Sequence, residues 1–257
     1  MELLSDPSSL AILAAVGFIA GFIDAVVGGG GLLSIPALLT LGLPPHLTLG
    51  TNKLASSFSS CMSAWTYYRK QFITPSFWLH AGIACMLGAI IGTVTVSVVD
   101  NRILEKVLPL IIIIIAIYTA LNPKAMGCDK RQPPARPPRR LTQWLHGLPL
   151  GCYDGFAGPG IGAFWTVTAS RLYQLPVLHS IGLARAMTFI SNVTSLTIFF
   201  TLGLVDIPLG LALGGCMMLG AFIGARVAIR FGLPFIRPLF IIIVITIAAN
   251  LAWRAWL

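Results

Sequence analysis

Two glycine-rich breaks, placed alike in two halves of the chain, restrict its fold more than any other feature. Gly28-Gly29-Gly30-Gly31 separates apolar segments 10–27 and 31–42, and Gly158-Pro159-Gly160 separates 144–157 and 161–173. Such runs interrupt a helix, because glycine loses the most backbone entropy on ordering and proline brings no N–H. The piece after each break is about 12 residues, roughly 18 Å of helix, too short for a hydrocarbon core of about 30 Å. Composition nevertheless requires a membrane. The 257 residues are 56% hydrophobic and only 10% charged, against about 25% charged in soluble domains. A soluble globular enzyme and a disordered chain are both excluded, which leaves an all-α polytopic membrane protein. At membrane depth, broken backbone is tolerated only where protein buries it or where it lines a cavity.

Six further apolar segments are long enough to span alone: 47–68, 76–98, 103–121, 182–205, 207–229 and 235–253. Residues 122–141 hold Lys124, Lys130, Arg131, Arg136, Arg139 and Arg140 among prolines, and read as an extended cytoplasmic linker. It divides a first membrane repeat, 1–121, from a second, 142–257. The acidic Met1–Ser9 stretch lacks a basic n-region, so the first apolar segment is expected to be retained.

The halves align in order. At an offset of 130, Gly21 and Asp24 match Gly151 and Asp154, and Gly28 and Gly30 match Gly158 and Gly160. At 132, Leu43-Pro44 matches Leu175-Pro176, Lys53 matches Arg185, and Gly88 and Gly92 match Gly220 and Gly224. Paired broken segments in two halves point to a transporter binding site. Basic residues then orient the chain. With each broken region a re-entrant hairpin, Arg69, Lys70, Arg171, Arg230 and Arg237 fall inside with the linker, and Asp206 falls outside. Arg102 and Arg254 are exceptions. Each half is expected to hold three transmembrane helices plus the hairpin. Three crossings are an odd number, so the repeats are expected to be inverted.

Four charges sit inside apolar stretches: Asp24, Lys53, Asp154 and Arg185. Each costs about 2.5–3.5 kcal/mol at a helix centre on insertion scales, so each is expected to face protein or water, with a partner. Half-helices starting near Gly31 and Ile161 would present N–H groups and the positive dipole end at mid-membrane, where anions bind. The expected substrate-binding set is Gly28, Gly29, Gly30, Gly31, Asn52, Lys53, Gly158, Gly160 and Arg185. Asp24, Asp154, Ser56 and Asn192 are expected as coupling or structural support. For the two aspartates, ion pairing, hydrogen bonding to the loop and coupling to a proton or cation all stay open at this stage. Serines 56, 59 and 60 share one helix face by spacing; interhelical packing accounts for them as readily as a polar substrate path.

The five cysteines form no C-x-x-C, and His46, His80, His146 and His179 are scattered, so neither a metal site nor a cofactor is expected. The histidines are expected at the interfaces, with Trp65, Tyr67, Tyr68 and Trp78 in an aromatic belt. The net charge of +9 reads as basic loops on the cytoplasmic side, not as a nucleic-acid surface.

Gly21-Phe-Ile-Asp24-Ala-Val-Val-Gly-Gly-Gly-Gly31, then Pro36, then Gly50-Thr51-Asn52-Lys53, resembles the sulfite exporter TauE/SafE family, and the likeness runs through residues 10–253. The Gly151-to-Gly162 repeat and Gly88-Ala-Ile-Ile-Gly92 resemble it too. Arg185 stands where the first half has Lys53, and Ala184 replaces Asn52, so the half-sites are not equivalent. The resemblance implies a multi-pass permease of the bacterial inner membrane for small anions, chiefly sulfite or organosulfonates, in a family whose members differ in substrate and direction. The expected partners are a small anionic solute and the bilayer, and the expected mechanism is alternating access around a midplane site. An anion channel and a non-transporting assembly subunit are the rivals. No Cys pair or acid–His cluster favours a membrane enzyme.

Overall fold

The computed structural model describes residues 7–107, 110 and 137–232. Within them the chain is helical and contains no strand. The first half supplies α1 (Pro7–Val27), α2 (Gly31–Thr40), α3 (Pro45–Arg69) and α4 (Leu79–Ser97). The second supplies α5 (Arg140–Phe156), α6 (Ile161–Leu172), α7 (Val177–Thr201) and α8 (Ile207–Phe231). Most of the expected span at 103–121, all of that at 235–253, and most of the linker lie outside the described residues.

The helices break where glycine interrupts them. Gly28 follows α1 at φ +92°, and its N–H donates to Ile23 O at 3.3 Å. Its counterpart Gly158 follows α5 at φ +80° and donates to Tyr153 O at 3.2 Å. A side chain would strain both positions. The next helices, α2 and α6, hold 10 and 12 residues, about 15 and 18 Å, and neither crosses a bilayer.

Among the described helices α4, α7 and α8 are long and apolar enough to span a membrane. Segment 47–68 departs from expectation. It forms α3, which matches α7 at 25 residues but is too polar to qualify with them. The cause is its buried face, where Asn52, Lys53, Ser56, Ser57, Ser59, Ser60 and Ser63 turn inward. Large apolar side chains such as Ile91, Val94 and Leu219 face out, about half or more exposed. A polar interior under an apolar exterior suits lipid.

Residue contacts set the helix directions. On α1 and α8, Gly21 abuts Met217, while Gly220 and Gly224 abut Phe18 and Phe22. The counterpart pairs join α5 and α4: Gly151 abuts Cys85, while Gly88 and Gly92 abut Leu148 and Cys152. A Cβ at any of these six glycines would strike the facing backbone, so the small residues permit the close approach that binds helices in lipid. Both pairs run parallel. So do α3 and α8, where Leu54 meets Gly210 and Phe58 meets Gly214. α7 is parallel to α4: Cys85 Sγ lies 3.5 Å from Met187 O, and Thr93 Oγ1 donates to Ser195 Oγ at 2.8 Å. α3 and α7 run oppositely, since Gly50 abuts Leu204 while Tyr67 abuts Gly182. With α1 and α3 both parallel to α8, α2 must run back between them. α6 does the same between α5 and α7, so each break is the turn of a hairpin.

Candidate functional site

The two hairpin turns meet. Gly28 and Gly162 cross so closely that a Cβ on either would overlap the other's backbone, and Gly31 faces Pro159. At this crossing the four intramembrane charges pair, each with a partner from the other half. Lys53 pairs with Asp154, and Arg185 with Asp24. Both aspartates are thus ion-paired, and Asp24 adds a loop bond, as Gly30 N–H donates to its Oδ1 at 3.4 Å.

The Lys53 ammonium is buried at 2% exposure, so it does not snorkel. It donates to Asp154 Oδ1 at 2.7 Å, Asp154 O at 2.6 Å and Asn192 Oδ1 at 3.2 Å. Three N–H groups meet three acceptors. The residues before it divide the local work. Gly50 admits the loop at Leu204, Thr51 Oγ1 accepts from Asp206 N at 2.9 Å, and Asn52 Oδ1 accepts from Ser34 Oγ at 2.6 Å.

Arg185 is fully buried and its surroundings differ. Its Nη1 lies 2.9 Å from Asp24 Oδ1, an ion-pair distance. Yet neither Nε, Nη1 nor Nη2 is in hydrogen-bond geometry with any partner among the described residues. The 2.9 Å separation establishes charge contact, while the angles deny a directed bond. Nη2 sits where Gly28 and Gly162 cross, in space a Cβ on either would take. Asp24 is held independently, because Ser59 Oγ donates to its Oδ2 at 3.0 Å.

A cavity of about 20 Å³ lies at the crossing, room for about one water. Its walls include Asp24, Gly28, Gly31, Asn52, Lys53 and Ser56 from the first half. The second half contributes Asp154, Gly158, Gly160, Ile161, Thr188 and Asn192. Ten of the residues expected from the sequence thus converge here. Gly29 does not: its missing side chain points at Ile23 and Leu32. Gly30 stands behind Asp24, where a Cβ would strike that side chain. Arg185 is one glycine removed from the wall. Thr188 escaped the sequence reading, although its spacing of three from Arg185 puts both on one helix face.

The helix starts offer fewer free donors than expected. Leu32 N–H is bonded to Gly29 O at 3.0 Å, Leu33 to Gly30 at 3.0 Å, Ile161 to Gly158 at 3.1 Å and Ala163 to Gly160 at 3.0 Å. The chain turns tightly enough after each break to satisfy these groups itself.

Within the protein, His46 and His146 are buried. His46 Nε2 lies 2.9 Å from Val96 O, and His146 lies between Tyr173 Oη at 3.1 Å and Thr168 Oγ1 at 2.7 Å. Of the aromatic belt, Trp65 and Tyr68 are exposed, but Tyr67 and Trp78 are buried, with Tyr67 donating to Ala25 O at 3.1 Å. Among the described residues no group of three or more His, Cys, Asp or Glu comes together. A separate cleft of about 540 Å³ opens between the ends of α3 and α8, lined by Trp65, Thr66, Phe222 and Ile229 with Arg69, Lys70, Arg226 and Arg230.

Comparison with known proteins bears on this arrangement. The family model described as Sulfite exporter TauE/SafE matches residues 13–251. A probable membrane transporter protein of Haemophilus influenzae is 35% identical over 252 residues, covering 96% of each chain. One from Sinorhizobium is 35% identical over 246 residues, 94% of this chain and 92% of the relative. The probable membrane transporter protein YfcA of Escherichia coli is 31% identical over 256 residues, 96% of this chain and 91% of the relative. No solved structure matches.

Proposed function

The chain belongs to the sulfite exporter TauE/SafE family, and from that premise we propose that it is a secondary transporter of small anions, sulfite or organosulfonates foremost. Two inverted repeats alternate access to the midplane site where their hairpin turns cross. The observation that carries this reading is that crossing: two broken helices meet over a small polar cavity, with a cation from each half at hand. The four charges cancel formally, so what draws an anion is a cation whose N–H groups are not all taken up by its aspartate. Counterpart helices running in opposite directions support the inverted relation.

Charge orients the molecule. Arg69, Lys70, Arg226 and Arg230 share the end where α3 and α8 finish. By the helix directions, α5 begins and α6 ends at that same end, bringing Arg139, Arg140 and Arg171 to it. That end is the cytoplasmic one, and the bacterial inner membrane is its setting. Lys70→Cys and Leu202→Cys, at the ends of the opposed helices α3 and α7, then label from opposite sides; labelling from one side would remove the inverted arrangement.

The deciding experiment is uptake of labelled sulfite and sulfonates into proteoliposomes. A transporter shows saturable flux, accelerated by unlabelled substrate on the far side. Unsaturable conductance would make it a channel, and no flux with any small anion would leave an assembly role.

A further inference from the structure

The two cations at the crossing are not equivalent, and we propose that the second half alone holds the anion's oxygens, through the Arg185 guanidinium and the Thr188 hydroxyl on one face of α7. This rests on the transport reading and assigns the recognition within it. Lys53 already satisfies Asp154 and Asn192 with all three of its N–H groups; engaging a solute would strand those acceptors in a buried place, where an unmet polar group is costly. Lys53 is therefore a strut between the halves. Arg185 is buried just as deeply with no directed bond on any of its nitrogens, and Thr188 Oγ1, one turn further along α7 and 4% exposed, also lacks a partner among the described residues. Thr188 faces the cavity, and Gly28 and Gly162 leave space for the guanidinium beside it.

Unmet donors on one face, behind a cavity too small for the solute as it stands, describe a receptor covered by the hairpin crossing. Parting Gly28 from Gly162 enlarges the cavity and uncovers Nη2 to it together. Asp24 is not stranded by the exchange, since Ser59 and Gly30 already hold it. A planar fork of N–H groups with an adjacent hydroxyl suits a group that offers two or more oxygens on one face, such as sulfonate, sulfite or carboxylate. A single-atom halide can take both N–H groups only at one point and offers no second oxygen to the hydroxyl, so it is the weaker ligand.

The test is binding of methanesulfonate to the purified full-length protein by calorimetry, with chloride and acetate as competitors, alongside thermal unfolding without ligand. Thr188→Val weakens binding about 5- to 10-fold and leaves the ligand-free melting point unchanged or raised, because the hydroxyl has no bond to lose. Arg185→Lys, which keeps the charge but removes the fork, weakens it more than about 10-fold. Ser56→Ala, the counterpart of Thr188 in the first half, changes it less than about twofold. Equal losses in Ser56→Ala and Thr188→Val, or competition by chloride as strong as by acetate, would overturn the assignment. So would unchanged binding in both α7 variants of a protein that binds and transports methanesulfonate, and the transport reading would survive that result. If the wild-type protein neither binds nor moves any of these anions, the transport reading itself fails.

Discussion

The half-site around Lys53 and the half-site around Arg185 occupy matching positions in the sequence, yet the Lys53 ammonium has all its donors met and the Arg185 guanidinium has none met among the described residues. Lys53 is joined to an aspartate backbone, an aspartate side chain and an asparagine. Arg185 has one carboxylate at ion-pair distance and no directed bond. Small exchanges produce the contrast. Asn192 accepts from Lys53, while its counterpart in the first half is Ser60, too short to do the same for Arg185. Ser59 donates to Asp24, while its counterpart Ser191 and the Oδ2 of Asp154 both stay unpartnered among the described residues. The two positions share a frame, and a few side chains make one cation a clasp and the other an open hand.

The sharpest way to break this comparison is to remove each cation in turn. Lys53→Met leaves Asp154 buried and unpaired and costs about 3–5 kcal/mol of stability, read as a lower thermal midpoint in detergent. Arg185→Met costs about half of that or less, because Asp24 keeps Ser59 and Gly30 and the lost guanidinium made no directed bond. Equal losses would show the half-sites to be energetically alike. Next come the counterpart serines. Ser59→Ala removes a hydrogen bond to a carboxylate and costs about 1.5–3 kcal/mol, whereas Ser191→Ala stays within about 0.5 kcal/mol. Gly162→Ala presses a methyl group into Arg185 and Gly28, with an expected cost of about 1–3 kcal/mol and loss of anion flux. The smallest effect belongs to Gly29→Ala. Its Cβ would meet Leu32 and Ile23 at 3.5 and 3.6 Å, ordinary contact, so stability moves by about 0.5 kcal/mol or less and transport persists.

Much of the frame was legible in the residues alone. The breaks at Gly28 and Gly158 and the brevity of α2 and α6 follow from local causes. Gly28 and Gly158 take a positive φ that a helix does not continue through, and an apolar run of about 20 residues is long enough to span a bilayer. The convergence of Asp24, Lys53, Asp154 and Arg185 was readable too, because an ionised group at membrane depth must find company. Their exchange across halves was not. Lys53 and Asp154 are 101 residues apart, and nothing near either one chooses between the two aspartates. That choice was made when the hairpins docked, through the Gly28–Gly162 crossing and the paired glycine seams of α1 with α8 and α4 with α5. The unmet donors of Arg185 and Thr188 have the same origin. Sequence decides how many donors a side chain carries, but only the packed helices decide how many acceptors come within reach.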